Sequence, residues 1–287
     1  MLFHHCTIVG LGLLGGSLAL DLRRLLPEMT ITGVAHREET VTLAKALRHE
    51  GTPVFTDATC DITVVRDADL VILCTPVQTI LAQMAQITPY LAPGTVVTDV
   101  GSTKRTIMNA ATALPPGVFF IGGHPMAGSD RAGLTHARAG LFANATWAFC
   151  IPPGAEAVAQ RLTALVELLG ARPLLIDPET HDDLVAMTSH LPHVAAAALT
   201  NLVLGSAHGD AVLPFIAGGY RDCTRIAAAN PAMWRDILLT NRDRVLVALG
   251  GLLDELELWR DAIRSGDAPH LEALLTTAHD RREKLNK

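Results

Sequence analysis

Cysteine is scarce in this sequence. Five cysteines are spread over 287 residues, and no two of them form a CxxC pair. A disulfide-stabilised domain uses an even number of cysteines at fixed spacings, and a zinc site uses closely paired ones, so this pattern favours neither. We interpret the cysteines as free thiols: Cys6, Cys60, Cys74, Cys150 and Cys223.

A net positive charge and long apolar runs are also missing. The formal net charge is -6, which gives no general attraction to nucleic acid or to an anionic membrane surface. No uncharged stretch reaches the roughly 18–20 apolar residues that cross a bilayer, and no secretory signal precedes the first predicted strand. With 49% hydrophobic residues, the chain is expected to be a packed, cytoplasmic protein without nucleic-acid or membrane partners.

The hydrophobic pattern changes once along the chain. Up to residue 176, short β-branched runs alternate with helical segments, which predicts a parallel sheet covered by helices on both faces. From residue 177 onward, strand-like runs vanish and Ala/Leu-rich segments with helical spacing take over. We therefore predict a doubly wound α/β domain at 1–176 and an all-helical domain at 177–287. The predicted strands are Thr7–Val9, Thr30–Ala35, Leu70–Cys74, Val96–Thr98, Val118–Ile121, Trp147–Ile151 and Pro173–Ile176, and the predicted helices between them include Gly16–Leu26, Glu39–His49 and Gln78–Leu91.

A glycine motif follows the first predicted strand. Gly10, Gly12 and Gly15 form G-x-G-x-x-G between that strand and the first helix, and a second strand follows. In this context the motif is typical of a Rossmann-type dinucleotide site, in which the glycines bring the backbone close to a pyrophosphate at the helix N-terminus. The predicted cofactor-binding residues are Gly10, Gly12, Leu13, Leu14, Gly15, His36, Arg37, Thr75 and Pro76.

The end of the second strand indicates which cofactor is bound. An acidic residue there normally contacts the ribose of NAD, but this sequence has His36 and Arg37. An arginine at this point suits the 2′-phosphate of NADP, so NADP is favoured over NAD. Glu38 and Glu39 follow at once, however, and Arg37 is equally compatible with a solvated position at the start of a helix.

Four further strings contain polar residues suited to chemistry. They are "DVGSTK" at Asp99–Lys104, "GGHPMAGSD" at Gly122–Asp130, "MTSHLPHVAAAAL" around His190 and His193, and "GGYRDCTRIAAANPAMW" at Gly218–Trp234. Each has an ordinary structural explanation when taken alone, such as a cap, a turn or an (i, i+3) pair between Asp222 and Arg225.

Together and in this order after a Rossmann start, the strings resemble the prephenate/arogenate dehydrogenase family of tyrosine biosynthesis. The resemblance extends from Thr7 to about Trp234, and the chain is similar to the short, monofunctional form of the family. It implies an NAD(P)-dependent oxidative decarboxylation of a cyclohexadienol in which His124 accepts a proton and Ser102 hydrogen-bonds the substrate hydroxyl. It also implies that Arg225 binds a substrate carboxylate beside His193 and His190, that Asp222 supports Arg225, and that the protein is a homodimer.

Substrate choice stays open at this stage. Prephenate and arogenate differ by a keto group against an ammonium, so a carboxylate near that end of the substrate would favour arogenate. Asp130 is the candidate.

Three alternatives are less consistent with the sequence. A β-hydroxyacid dehydrogenase or imine reductase typically uses a lysine of its helical domain, but residues 177–230 contain none. A non-catalytic NAD(P)-sensing module would have no need for His124, Ser102 and Arg225 together. Zinc could bind the group formed by His124, His181, His190 and His193 with Asp182 and Asp183. The spacing of these histidines lacks an H-E-x-x-H pattern, so no metal is predicted.

Overall fold

The structure is a computed structural model that describes residues 2–128 and 131–286. These residues form two compact units, which span 2–241 and 242–286. Asp130, the predicted determinant of substrate choice, lies outside the described residues. The first unit contains the sheet and every other predicted site residue.

The first unit is built around an eight-stranded sheet with the strand order β10-β9-β8-β7-β6-β1-β2-β5. Neighbouring strands run parallel, except that β8 and β9 are antiparallel, and β3 and β4 form a separate two-stranded pair. The strands are β1 (His5–Val9), β2 (Thr30–Val34), β3 (Arg48–His49), β4 (Thr52–Pro53), β5 (Asp57–Thr59), β6 (Leu70–Leu73), β7 (Val96–Asp99), β8 (Phe119–Pro125), β9 (Thr146–Cys150) and β10 (Arg172–Leu175).

The central strands are apolar on both faces because each face is covered by helices. In β1, Ile8 belongs to the core on one side of the sheet and Val9 to the core on the other, and Ile72 and Leu73 divide in the same way in β6. Side chains alternate across a strand, so a continuous apolar run is what a doubly covered parallel sheet requires. The covering helices are α1 (Leu13–Leu25), α2 (Glu38–Ala46), α3 (Val77–Ile87), α4 (Arg105–Ala111) and α5 (Glu156–Leu168).

Helices alone follow the last strand. In the first unit these are α6 (Pro178–Val185), α7 (Leu191–Leu204), α8 (Gly218–Thr224) and α9 (Pro231–Thr240), with a 3₁₀ helix at Arg225–Ala228. The second unit consists of α10 (Arg242–Ser265), α11 (Ala268–Glu283) and a short 3₁₀ turn after α11. No described helix is both long enough and apolar enough to span a bilayer.

A π-turn joins α6 to α7. Ala186–His190 adopt π-helical geometry, and the Leu191 N–H donates to the Ala186 carbonyl, five residues back. Pro192 follows, and a proline lacks an N–H and clashes with the carbonyl four residues earlier in a regular helix. The wider turn accommodates this proline and fixes the direction in which His190 and His193 leave the helix.

The predicted fold class is confirmed: a Rossmann-like, mainly parallel sheet precedes a helical region. The boundary predicted between residues 176 and 177 stays a prediction. In the structure α6 packs against α4 and α9 packs against α3, so residues 178–241 belong to the same compact unit as the sheet.

Candidate active site

The glycine turn between β1 and α1 has the geometry of an anion-binding loop. Gly10 has φ of +102°, which favours glycine, and a Cβ at Gly15 would lie 2.1 Å from the Gly10 carbonyl oxygen. A Cβ at Gly12 would meet no atom within 4 Å, so the space above the N-terminus of α1 is open. A pyrophosphate therefore fits this turn, held by backbone N–H groups.

A basic loop borders the same turn. A cavity of about 520 Å³ is lined by Leu13, Arg131, Thr135, His136 and Arg138. The loop is anchored to α1 because buried Ser17 accepts a hydrogen bond from the Arg138 N–H at 3.0 Å, and buried Asp21 accepts one from the Gly140 N–H at 2.9 Å. These positive side chains are suited to an anionic cofactor, and no motif in the sequence predicts their role.

The other predicted cofactor residues also lie at carboxyl ends of strands. His36 and Arg37 are exposed just after β2, and Arg37 is the residue that precedes α2. Thr75 and Pro76 follow β6, where the Thr75 hydroxyl donates to Gln83 Oε1 at 2.6 Å. Leu13 and Leu14 form the first turn of α1 and pack against the core.

A buried ion pair connects β7 with β8. Lys104 Nζ donates to Asp99 Oδ2 and, at 2.6 Å, to the Gly123 carbonyl, while the Gly123 N–H donates to Asp99 Oδ1 at 3.0 Å. A Cβ at Gly123 would lie 2.5 Å from the Asp99 carbonyl oxygen, so only glycine permits this approach. The pair fixes the strand segment that carries the next residue, His124.

Ser102 lies in the loop that this ion pair closes. It is partly exposed, between the end of β7 and the start of α4. Among the described residues no hydrogen bond links Ser102 to His124. Ser102 nevertheless follows β7, and His124 lies near the end of the adjacent parallel strand β8, so both are at the same edge of the sheet.

His124 begins a chain of hydrogen bonds into α6. Its Nδ1 lies 2.9 Å from His181 Nε2, and His181 Nδ1 lies 2.8 Å from Asp182 Oδ1. Asp182 also accepts from the backbone N–H groups of Lys104 at 2.7 Å and Arg105 at 3.0 Å. His181 and Asp182 are fully buried, and His124 is partly buried.

This environment keeps His124 neutral. Burial, together with the nearby His181, Lys104 and His190, holds the pKa of His124 well below its ordinary 6.5. Burial would raise the pKa of Asp182, but hydrogen bonds from His181 and from backbone amides outweigh that effect and leave the pKa below its ordinary 3.8. A neutral imidazole therefore faces a buried carboxylate through a second imidazole.

His190 and His193 both contact the indole of Trp234. The His193 ring stacks on the indole with centroids 3.6 Å apart, and the His190 ring meets it edge-on at 6.1 Å. Burial lowers the pKa of His193, and it lowers that of His190 to about 4 although Asp182 opposes the shift. His193 Nδ1 is buried and has no hydrogen-bond partner in the described part of the chain. Such an orphaned nitrogen is available to a ligand.

Asn241 connects this cluster to the His124 chain. Its amide nitrogen lies 2.7 Å from the backbone carbonyl of Asp182 and 3.3 Å from His190 Nδ1. His124, His181 and His190 thus belong to one connected polar network. Within residues 2–128 and 131–286, no three potential ligands are grouped to hold a metal ion.

Arg225 and Asp222 lie at the edge of this site. Arg225 begins the 3₁₀ helix that packs against α7, the helix of His193. Both side chains are exposed, and the described residues show no ion pair between them. Arg225 is thus near the element that carries His193, and its guanidinium has no hydrogen-bond or ion-pair partner among the described residues.

Several functional residues were missed from the sequence. Lys104 was recognised only as the end of a motif, and His181 with Asp182 only as possible zinc ligands. His181 and Asp182 lie in the first half of α6, and the capping residue Asp177 with Pro178 after it could have predicted the start of that helix. Asn241 and Trp234 carry no local signal, because their contacts form only in the folded chain.

Comparison with known proteins gives a consistent result. Residues 18–173 match the family model "Prephenate dehydrogenase, nucleotide-binding domain", and residues 177–277 match "Prephenate dehydrogenase, dimerization domain". The chain is 36% identical to the prephenate dehydrogenase of Bacillus subtilis over 288 residues, which covers 97% of this chain and 75% of that protein.

Two solved structures are similar over nearly their whole length. The arogenate dehydrogenase of Synechocystis has a TM-score of 0.82 at 32% identity and covers 98% of this chain and 99% of its own. The prephenate dehydrogenase of A. aeolicus, in complex with hydroxyphenyl propionate and NAD⁺, has a TM-score of 0.88 at 29% identity and covers 98% of both chains. Because two family models together match most of the sequence, the chain belongs to the prephenate dehydrogenase family.

Proposed function

We propose that this protein catalyses the NAD(P)-dependent oxidative decarboxylation of prephenate, arogenate or both, which yields 4-hydroxyphenylpyruvate or tyrosine. The observation that supports it most directly is the neutral imidazole of His124, which is fixed at the carboxyl edge of the sheet. The chain belongs to a family of dehydrogenases, which gives this imidazole a reaction to serve. Carboxyl edges are where doubly wound sheets bind ligands.

His124 is the proton acceptor in this proposal. The proton of the ring hydroxyl moves to Nε2 of His124 while the carbon that bears this hydroxyl gives up a hydride. The ring carboxylate then leaves as carbon dioxide, and the ring becomes aromatic as its oxygen takes the proton back from His124. Nδ1 is occupied by His181, so Nε2 is the nitrogen that can receive the proton. Ser102, at the same edge, hydrogen-bonds the substrate hydroxyl and orients it.

The substrate carboxylates require positive or donor groups. Arg225 is suited to one of them because a guanidinium offers two parallel N–H donors to a planar carboxylate. His193 contributes its orphaned Nδ1, and the His190 ring meets the edge of Trp234. A supporting role of Asp222 toward Arg225 would require the two exposed side chains to move together when substrate binds. Asp130 remains the proposed group for recognising an ammonium on arogenate.

The glycine turn and its basic border hold the cofactor. Gly10, Gly12 and Gly15 allow the pyrophosphate to approach the N-terminus of α1, and Arg131 and Arg138 line the adjacent cavity. When bound, the nicotinamide accepts a hydride from the carbon that bears the hydroxyl. His36 and Arg37 favour NADP, because they occupy the end of β2 where an NAD site normally has an acidic residue.

A two-by-two assay tests the proposal. Purified protein is given prephenate or arogenate with NAD or NADP, and formation of reduced cofactor is followed by absorbance. We expect turnover of at least one substrate, with a higher kcat/KM for NADP. Absence of turnover in all four combinations would refute the proposed function, and a preference for NAD would refute only the cofactor assignment.

A further inference from the structure

The hydrogen-bond chain behind His124 has a fixed direction. Asp182 receives hydrogen bonds from the N–H groups of Lys104 and Arg105, so its carboxylate oxygens act as acceptors. His181 Nδ1, 2.8 Å from Asp182 Oδ1, must therefore carry a proton and donate it. With this as the only ring proton of His181, its Nε2 is bare and can only accept.

The direction carries over to His124. Because His181 Nε2 accepts, His124 Nδ1 at 2.9 Å must be the donor and carry the proton. A neutral imidazole carries a proton on one nitrogen only, so Nε2 of His124 is left with a free lone pair. Two hydrogen bonds and one buried carboxylate thus select the tautomer that can accept a proton at the substrate side.

We propose that His181 and Asp182 are positioning residues that hold His124 as its Nδ1–H tautomer, with Nε2 aimed at the substrate hydroxyl. This inference rests on the proposed function. The proton that His124 receives stays on Nε2 until it returns to the oxygen of the aromatic product, so no proton passes to His181. The negative charge of Asp182 faces the imidazolium through the His181 ring and offsets its charge.

The neighbours of His124 are consistent with this arrangement. Lys104 and Asp99 approach from β7 and its loop, His181 and Asp182 from α6, and His190 from the π-turn. Lys104 is bound by Asp99 and by the Gly123 carbonyl, which leaves His181 as the hydrogen-bond partner of His124 among the described residues.

Histidine tautomers can be observed without any turnover. Long-range ¹H–¹⁵N spectra of protein labelled with ¹⁵N-histidine distinguish Nδ1–H from Nε2–H rings, and His124→Asn identifies the relevant signals. We expect His124 as the Nδ1–H form near pH 7.5 in the wild-type protein. An Nε2–H ring at His124 in the wild-type protein would overturn the proposal, whatever substrate the enzyme uses.

Two variants of His181 separate positioning from simple packing. His181→Leu removes the acceptor, and we expect kcat to fall about 10–100-fold while KM and cofactor affinity change little. His181→Gln restores an acceptor oxygen toward His124 and a donor toward Asp182, so most of the loss should be recovered. Equal loss in both variants, or wild-type kcat in His181→Leu, would contradict the proposal.

A matched control variant is His5→Leu. His5 is also partly buried and hydrogen-bonds a side chain, Thr32, but it lies at the start of β1, away from the carboxyl edge. We expect unchanged kcat and an unchanged His124 tautomer in this variant. If the wild-type enzyme turns over neither substrate, the proposed function fails, while the tautomer measurement still tests the hydrogen-bond chain.

Discussion

At the level of single residues, His124 must be neutral before it can accept a proton. Replacing it with asparagine keeps a polar group of similar size but removes the basic nitrogen, and we expect kcat to fall at least about 10²-fold with little change in KM. His279→Asn, at an exposed histidine in α11, is the control and should retain wild-type kcat. Steady-state kinetics measure both variants, and undiminished turnover in His124→Asn would exclude it as the base.

Arg37 provides a second test at this scale. It is exposed at the end of β2, where a 2′-phosphate of NADP would lie. For Arg37→Ala we expect a selective rise in the KM for NADP, with the KM for NAD nearly unchanged. Arg48→Ala, an exposed arginine in β3, is the control. An equal effect of Arg37→Ala on both cofactors would mean that Arg37 does not recognise the phosphate.

His190 makes stability depend on pH. Its pKa is about 4 in the folded chain and about 6.5 when unfolded, so between these values the unfolded chain binds a proton that the folded chain does not. Acid therefore favours unfolding, by about 1.4 kcal/mol per pH unit for such a histidine. Urea unfolding at pH 7.5, 6 and 5 should show this loss, and it should be smaller in His190→Asn.

The asparagine side chain in that variant can still accept the hydrogen bond from Asn241. His208→Asn, at an exposed histidine, should keep the wild-type pH dependence. A His190→Asn variant with the full wild-type slope would show that other groups cause the acid sensitivity.

The family resemblance was enough to select His124, His190 and His193 as candidates, because each lies in a compact motif. They were not enough to find the partner of His124. His181 is 57 residues away along the chain, and only the packing of α6 against α4 brings it to the strand edge. Side-chain roles that depend on such distant contacts leave no pattern in a single sequence.

At the level of elements, the Lys104–Asp99 pair adds a buried side-chain connection to the backbone pairing of β7 with β8. Both side chains are fully buried, so Lys104→Met leaves a carboxylate in the core without its partner. We expect the free energy of unfolding to fall by about 3–5 kcal/mol, measured by urea titration.

An exposed ion pair supplies the control for that variant. Lys45 and Asp57 lie 3.2 Å apart on the surface of the first unit, and Lys45→Met should change the free energy of unfolding by less than about 1 kcal/mol. Similar losses in the two variants would mean that burial does not determine the importance of the Lys104 pair.

Strands and helices were predicted well where the apolar period was clear. Each predicted strand is present within about two residues of its predicted ends, apart from β8, which extends to Pro125. The antiparallel direction of β9, the short strand β5 and the β3–β4 pair were not predicted. Strand direction and short edge pairing depend on tertiary contacts rather than on local periodicity.

At the level of the whole molecule, large apolar side chains remain exposed on the helices. Leu202 is 72% exposed and Phe215 is 86% exposed in the first unit, and Val247 is 75% exposed in the second. Surfaces of this kind are usually covered by another chain. We expect a homodimer, which the match to a dimerization domain supports.

Sedimentation velocity at micromolar concentration tests the dimer. Phe215→Glu should weaken it, whereas Leu43→Glu, at an exposed leucine of α2, should leave it intact. A stable wild-type monomer at that concentration would contradict the expectation.

The π-turn at Ala186–His190 also limits how the length of this segment can change during evolution. A π-turn contains one residue more than a regular helical turn, so deleting a single residue there would restore the regular hydrogen-bond pattern and place Pro192 inside it. The proline lacks the N–H which that pattern needs, and its ring would clash with the carbonyl four residues earlier. In this segment the number of residues is under as strict a constraint as their identity.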